Sequence, residues 1–196
     1  MNEIALEAPV AETLRQLISQ GPVDPSTALG ILEELLEALA FDHWRGIIHG
    51  DIAPENILFT AHGQPILADR GSAQADGELT PGRAEIPAHN PAYAAPEQIR
   101  GNPADERTDI FALGVVAYEM LTGTHPFGAS EGLSAGSVMY NMMREAPLET
   151  PGTTRAGLPR RIPAVLDRAL AKDPNDRFAD ATYFLDALKE ATAVAE

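Results

Sequence analysis

Cysteine is absent from this chain of 196 residues. The absence excludes disulfide bonds and cysteine-ligated zinc or iron–sulfur centres, and it agrees with a reducing compartment. The sequence also lacks any apolar run close to the roughly 20 residues that a membrane-spanning helix needs. Its opening stretch, MNEIALEAPVAE, is acidic where a signal peptide would be basic. We therefore expect a soluble, cytoplasmic protein with no membrane partner.

Basic residues are scarce as well. The chain has 14 Lys and Arg against 29 Asp and Glu, a formal net charge of −15, and a pI of about 4.6. Such a charge repels nucleic acid at long range, and the densest basic stretch is only Arg155 with Arg160 and Arg161. We expect no nucleic-acid partner. The acidity serves solubility or, alternatively, attracts a basic peptide.

Apolar residues recur at helical spacing in two stretches near the start of the chain. The first predicted helix ends at Gly21-Pro22. The second has Asp24 as its N-cap, Pro25 at its first position, and an end near Gly46. The apolar positions are Val10, Leu14, Leu17 and Ile18 in the first helix, and Leu32, Leu35, Leu36 and Leu39 in the second.

Short strands are predicted at 47–48, 57–59 and 65–67, the last two joined around Gly63. Beyond them, residues 71–95 are rich in Gly, Pro, Ala and Ser with little periodicity. Long loops of this kind are usually functional.

Three helices are predicted in the second half of the chain. The stretch DIFALGVVAYEML at 109–121 is apolar on every side, which is typical of a helix in the centre of a domain. Two more helices are expected at about 163–172 and about 180–192. The sequence therefore predicts a mainly helical fold with a few short strands.

The stretch HGDIAPENIL at 49–58 sets Asp51 five residues before Asn56, with Pro54 stiffening the loop between them. This spacing suits phosphoryl transfer, because an acceptor hydroxyl needs a carboxylate to take its proton and a metal on the phosphates needs a neutral oxygen ligand nearby. Asp and Asn also cap tight turns. Taken singly, either residue is better explained as a turn cap.

Five motifs follow one another in a fixed order. Together they resemble the C-terminal lobe of bacterial, eukaryotic-like serine/threonine protein kinases over about residues 12 to 190. The motifs are HGDIAPENIL at 49–58, LADRG at 67–71, PAYAAPEQ at 91–98, DIFALGVVAYEMLTGTHPF at 109–127 and DPNDRF at 173–178. The resemblance implies a single mainly α domain over 1–196, with an activation-segment-like loop at about 69–97.

The resemblance also implies roles for individual residues. Asp51 matches the catalytic base, Asn56 and Asp69 match the ligands of Mg²⁺ on ATP, and Leu58 lies on the adenine side of the nucleotide site. Three further matches are structural: Glu97 and Arg177 as a buried ion pair, and Asp109 as the residue that braces the catalytic loop. ATP and Mg²⁺ are therefore the implied cofactors, and a protein or peptide is the implied partner.

Several positions depart from the family pattern. Ala53 stands where these kinases carry a lysine that steadies the γ-phosphate, and Glu55 offers no replacement cation. Gly50 replaces an arginine that reads a phosphorylated activation loop. Asn90 replaces a threonine that ties the peptide-binding loop to the catalytic aspartate, and Arg70 replaces a phenylalanine that packs against the N-terminal lobe.

No glycine-rich phosphate loop, strand lysine or partner glutamate precedes the first predicted helix. We therefore expect the N-terminal lobe to be absent and the chain alone to be catalytically silent. The favoured function is a pseudokinase-like protein-binding module. The alternatives are an active kinase whose N-lobe comes from another chain or was lost from the reading frame, a relative of the small-molecule phosphotransferases that also carry an HGD loop, and a decayed fragment.

Overall fold

The computed structural model describes residues 12–68, 90–129, 133–144, 147 and 157–193. Within these ranges the chain forms seven α-helices and one two-stranded sheet, so the expectation of a mainly helical fold is confirmed. The helices are α1 Leu14–Ser19, α2 Pro25–Trp44, α3 Pro96–Ile99, α4 Glu106–Thr122, α5 Ala135–Arg144, α6 Ile162–Ala169 and α7 Ala181–Ala193. Strands β1 Ile57–Phe59 and β2 Pro65–Leu67 make up the sheet.

Local capping explains where the first two helices begin. The Thr13 hydroxyl accepts from the backbone N–H of Gln16, whose side chain in turn accepts from the N–H of Thr13, so α1 opens with a capping box. Helix α2 begins at Pro25 because Asp24 accepts the free N–H groups of the first turn. The start of α2 agrees with the prediction of Asp24 as N-cap and Pro25 at the first position. No start was predicted for α1, and Val10, the first of its predicted apolar positions, lies outside the described residues.

The sheet is a hairpin, as the spacing around Gly63 predicts. Its strands are antiparallel, with Ile57 opposite Leu67 and Leu58 opposite Ile66. The predicted strand at 47–48 is wrong, because the structure has no strand there. The N–H of Ile47 instead donates to the carbonyl of Asp42 at 2.9 Å, so this segment completes the end of α2.

Helix α4 runs through the centre of the hydrophobic core, and its residues 108–121 are all buried. It packs against α2 and α6, while α2 also packs against α7. At Gly114 an added Cβ would lie 3.1 Å from the Cβ of Ala169, so glycine permits the close approach of α4 and α6. This helix is the element from which the candidate site is braced.

The second half of the chain follows the predictions less closely. Helix α6 ends at Ala169, earlier than expected, whereas α7 agrees within one residue. Helix α5 was not predicted, although its buried residues, Val138 and Met142, stand at helical spacing. Most of the activation-segment-like loop, with Asp69 and Arg70, lies outside the described residues. None of the helices in the described ranges is both long and apolar enough to cross a bilayer.

Candidate active site

One buried carboxylate anchors the loop that carries Asp51 to the core. Asp109 in α4 accepts the backbone N–H of His49 on Oδ2 and that of Gly50 on Oδ1, both at 2.8 Å. The Nε2 atom of His43 lies 3.0 Å from the same Oδ2. Because Asp109 is fully buried, its charge is compensated by these donors, and the loop is fixed to the core.

Gly50 gives the loop its sharp turn. Its φ is +75°, in the left-handed region that glycine adopts without the penalty of a Cβ. The side chain of Gln98 in α3 donates to the Gly50 carbonyl at 2.9 Å. The turn is therefore anchored both from α4 and from α3.

Asp51 and Asn56 come together as the motif predicts. The amide Nδ2 of Asn56 donates to the backbone carbonyl of Asp51 at 2.8 Å, which leaves the Asn56 Oδ1 atom available as a ligand. Nδ2 of Asn90 donates to the Asp51 carboxylate at 3.4 Å. Asn90 thus reaches the same aspartate that the family's threonine reaches, although the bond is long.

The chain leaves β2 directly beside this loop. The N–H of Ala68 donates to the carbonyl of Asn56 at 2.8 Å, and Nε2 of His49 lies 2.9 Å from the Ala68 carbonyl. His49 is buried and packs within the loop. The residue before Asp69 is therefore fixed next to Asn56, while Asp69 itself lies outside the described residues, and its role as a metal ligand stays a prediction.

The candidate adenine side of the site is an open apolar face. Leu58 lies opposite Ile66 in the hairpin, so their side chains share one face, and Ile66 is exposed. Ala53, at the position of the family's lysine, is completely buried. No cation therefore reaches the phosphate side of the loop from this position.

Glu97 and Arg177 form a bidentate ion pair across the domain. The two contacts are 2.7 Å (Nη1–Oε1) and 2.9 Å (Nη2–Oε2), and the side chains are 6% and 0% exposed. Arg177 also donates to the carbonyls of Ala171 and Arg107, while the hydroxyl of Thr108 donates to Glu97. The pair joins α3 to the turn before α7 with almost every polar atom satisfied.

A polar cluster beside the loop was missed by the sequence analysis. Arg15 of α1 donates to Glu55 at 2.7 Å and to Glu119 at 2.8 Å, and it also contacts the Tyr93 hydroxyl. That hydroxyl donates to Glu119 at 2.5 Å. Together with Asn90, these side chains line an open cavity of about 270 Å³. The cluster joins four separate parts of the sequence around the candidate peptide side of the site.

The environment of this cluster shifts several pKa values. Burial lowers the pKa of Arg15, but the hydrogen bonds to Glu119 and Glu55 and the charge interactions with Tyr93 and Glu119 together raise it above its usual value. Burial, followed by the charge of Glu119, raises the pKa of the Tyr93 hydroxyl. Burial lowers the pKa of His125 to about 4, and its ring lies edge-on to Tyr93. Near neutral pH the cluster therefore holds a charged Arg15, a protonated Tyr93 and a neutral His125.

Comparisons with known proteins agree with this geometry. Residues 2–190 match the family model described as protein kinase domain. The serine/threonine-protein kinase PknL of Mycobacterium tuberculosis is 36% identical over 188 residues, which cover 94% of this chain and 46% of PknL. The serine/threonine-protein kinases PknB of M. tuberculosis and M. leprae are both 37% identical, over 183 and 180 residues, which cover 91% of this chain and 28% of each relative.

The chain therefore spans less than half the length of these relatives. The family match nevertheless covers almost all of its own residues, including the loop with Asp51, the Glu97–Arg177 pair and the brace at Asp109. The chain belongs to the protein kinase domain family, and serine/threonine kinases are among its relatives.

Proposed function

We propose that this chain, acting alone, is a protein-binding module built on the helical lobe of a serine/threonine kinase, and that it does not transfer phosphate by itself. The proposal rests on the small number of basic side chains that could hold the phosphates of ATP. Phosphoryl transfer depends on positioned positive charge around the phosphates, and the only two lysines of the sequence are Lys172 and Lys189.

Both lysines are committed elsewhere in the fold. The ammonium of Lys172 lies 3.8 Å from the ring centroid of Phe127, and that of Lys189 pairs with Glu33 and Glu37 on α2. Arg15, the arginine at the candidate peptide side, is bound to Glu55 and Glu119. The loop with Asp51 is thus built and braced, but neither lysine and not Arg15 is free to hold the phosphates.

ATP and Mg²⁺ are implied by the family, and the residues present fit them in part. Asn56 keeps an oxygen free, and Asn56 with Asp69 would hold Mg²⁺, which supplies charge neutralisation to the phosphates when it is bound. Leu58 would contact the adenine. Because good pockets bury most of their ligand, an open face such as that of Leu58 and Ile66 supports only weak nucleotide binding by this chain alone.

The test is a phosphate-transfer assay on the purified chain. With ATP, Mg²⁺ and a generic basic protein substrate, we expect no incorporation above that of the Asp51→Asn variant. Stoichiometric incorporation that disappears in Asp51→Asn would overturn the proposal. Isothermal titration with ATP gives a second readout, for which a micromolar or tighter dissociation constant would favour an enzyme.

A second candidate function is an active kinase whose N-terminal lobe is supplied by another chain. The contacts of Asp51 with Asn90 and Asn56 support it, because they keep the carboxylate and the free Asn56 oxygen side by side in the loop. Adding a kinase N-lobe with its glycine-rich loop and lysine, in trans or by fusion, would then produce phosphate transfer that depends on Asp51. The Glu97–Arg177 pair favours protein over small-molecule substrates, since the resemblance places it on the protein-kinase side.

A further inference from the structure

Two aromatic side chains face solvent at the end of α2. Phe41 is 56% exposed and Trp44 is 82% exposed, and their ring centroids are 6.2 Å apart. Single exposed apolar residues are ordinary, but adjoining large rings on a surface mark an interaction site. Trp is also the residue type most enriched among the energetic centres of protein interfaces.

A cavity adjoins these rings. It has a volume of about 310 Å³ and lies between the end of α2, the first turn of α4 and the start of α7. Trp44 and His43 line the cavity together with the carboxylate residues Glu106 and Asp180. The cavity therefore combines an aromatic surface with two acidic groups.

Within the described residues, no basic side chain forms an ion pair with the two carboxylates of this cavity. Glu106 makes no hydrogen bond or ion pair there, and Asp180 uses Oδ1 to accept the N–H groups of Thr182 and Tyr183. The neighbouring arginines are engaged with other groups: Arg45 lies over the ring of Phe41, and Arg107 bonds Asn175 and Asp105.

Both ring nitrogens of His43 are occupied by other groups. The N–H of Ala181 donates to Nδ1 of His43 at 3.3 Å, and Nε2 lies 3.0 Å from Oδ2 of Asp109. Glu106 and Asp180 are therefore the side chains of this cavity that are open to a cationic ligand.

We propose that Phe41, Trp44, Glu106 and Asp180 form a docking surface, here named the aromatic–acidic surface, for a protein segment that carries an arginine flanked by apolar side chains. A guanidinium stacks on the face of Trp and pairs with carboxylates in the same plane, which an ammonium does less well. The apolar neighbours cover Phe41. The net charge of −15 attracts such a segment at long range.

This docking surface goes beyond the proposed function, because it shares no residue with the Asp51 loop. It can be tested without a known partner, since Trp44 is the only tryptophan of the chain and its fluorescence reports on this surface alone. The probes are three short peptides: acetyl-Leu-Arg-Leu-amide and its analogues with Gln or Glu in place of Arg.

We expect the arginine peptide to change the Trp44 emission saturably and to bind about fivefold more tightly than the glutamine peptide. The glutamate peptide should bind more weakly still. Added salt should lower the affinity of the arginine peptide more than that of the other two peptides. Equal binding of the arginine and glutamine peptides, or no response to any of them at millimolar concentration, would overturn the proposal.

Variants separate the surface from general effects. Glu106→Gln should weaken the binding of the arginine peptide about threefold without changing that of the glutamine peptide. Phe41→Ala should weaken the binding of both peptides. Tyr140→Ala removes another exposed aromatic, outside this cavity, and should change neither. An equal loss of affinity for the arginine peptide in Glu106→Gln and Tyr140→Ala would also overturn the proposal. Failure here leaves the phosphate-transfer assay unaffected, so the two proposals are tested separately.

Discussion

The Glu97–Arg177 pair and the surroundings of Asp51 are both clusters of charged residues, yet they are built in opposite ways. Glu97 and Arg177 are buried and bonded to each other, to a hydroxyl and to backbone carbonyls. The Asp51 carboxylate is partly exposed, and its only hydrogen bond within the described part of the chain is the 3.4 Å contact from Asn90. We infer that the Glu97–Arg177 cluster maintains the fold, whereas the Asp51 cluster leaves a charge available to a ligand.

The largest expected effect is on the buried pair. Glu97→Ala leaves Arg177 buried without its partner, and should lower the free energy of unfolding by about 3–5 kcal/mol. Asp51→Ala should change it by less than about 0.5 kcal/mol, because it removes a partly exposed charge from a loop. Thermal and urea unfolding of both variants measure the contrast. Equal losses of stability would abolish the distinction between the two clusters.

A somewhat smaller effect is expected from His125, next to the peptide side. Burial lowers its pKa to about 4, so between about pH 6.5 and pH 4 the unfolded chain binds a proton that the folded chain does not. The stabilisation is present above this window and is lost as the pH falls through it. The total loss is about 3 kcal/mol.

His125→Gln removes this dependence, and therefore isolates it from the titration of the carboxylates. The stability gap between wild type and His125→Gln, measured by urea unfolding, should narrow by about 3 kcal/mol from near pH 7 to near pH 4. His62→Gln, a change at an exposed loop position, is the matched control for the loss of a histidine. A constant gap for His125→Gln would mean that its burial carries no pH dependence.

The smallest effect is expected at the edge of the Asp51 site. Tyr93→Phe removes one donor to Glu119 and one acceptor for Arg15, but it leaves the Arg15–Glu119 ion pair in place. We expect the free energy of unfolding, measured with urea, to fall by about 1 kcal/mol. Tyr183→Phe is the control, because it removes a hydroxyl from an exposed side chain. A loss of stability similar to that of Glu97→Ala would instead mean that the cluster around Arg15 maintains the fold as the Glu97–Arg177 pair does.

The sequence predicts the elements whose signals are local. Asp24 with Pro25 marks the start of α2, Gly63 marks the hairpin, and the continuous apolar run marks α4. The strand at 47–48 was wrong because two isoleucines favour a strand only if a partner strand exists, and here the Ile47 N–H completes a helix end instead. Helix α5 was missed since its buried positions, Val138 and Met142, are few.

The candidate site divides in the same way. Asp51, Asn56, Glu97, Asp109 and Arg177 lie in motifs, so their mutual positions follow from the family resemblance. The Arg15–Glu119 pair joins residues 104 positions apart, and neither belongs to a spacing that sequence reasoning reads as a pair. Asn90 was counted as a departure, although its amide can donate to Asp51 as a hydroxyl can. Such pairings depend on tertiary packing, which no local pattern contains.

The brace at Asp109 also determines how the loop can move. Its two carboxylate oxygens hold consecutive backbone amides, those of His49 and Gly50, and its neighbour on the other side is a histidine packed under α7. Freeing the loop would therefore expose a buried charge, so local opening there costs nearly as much as opening the core. We therefore expect the backbone amides of His49 and Gly50 to exchange with solvent only when α4 itself opens.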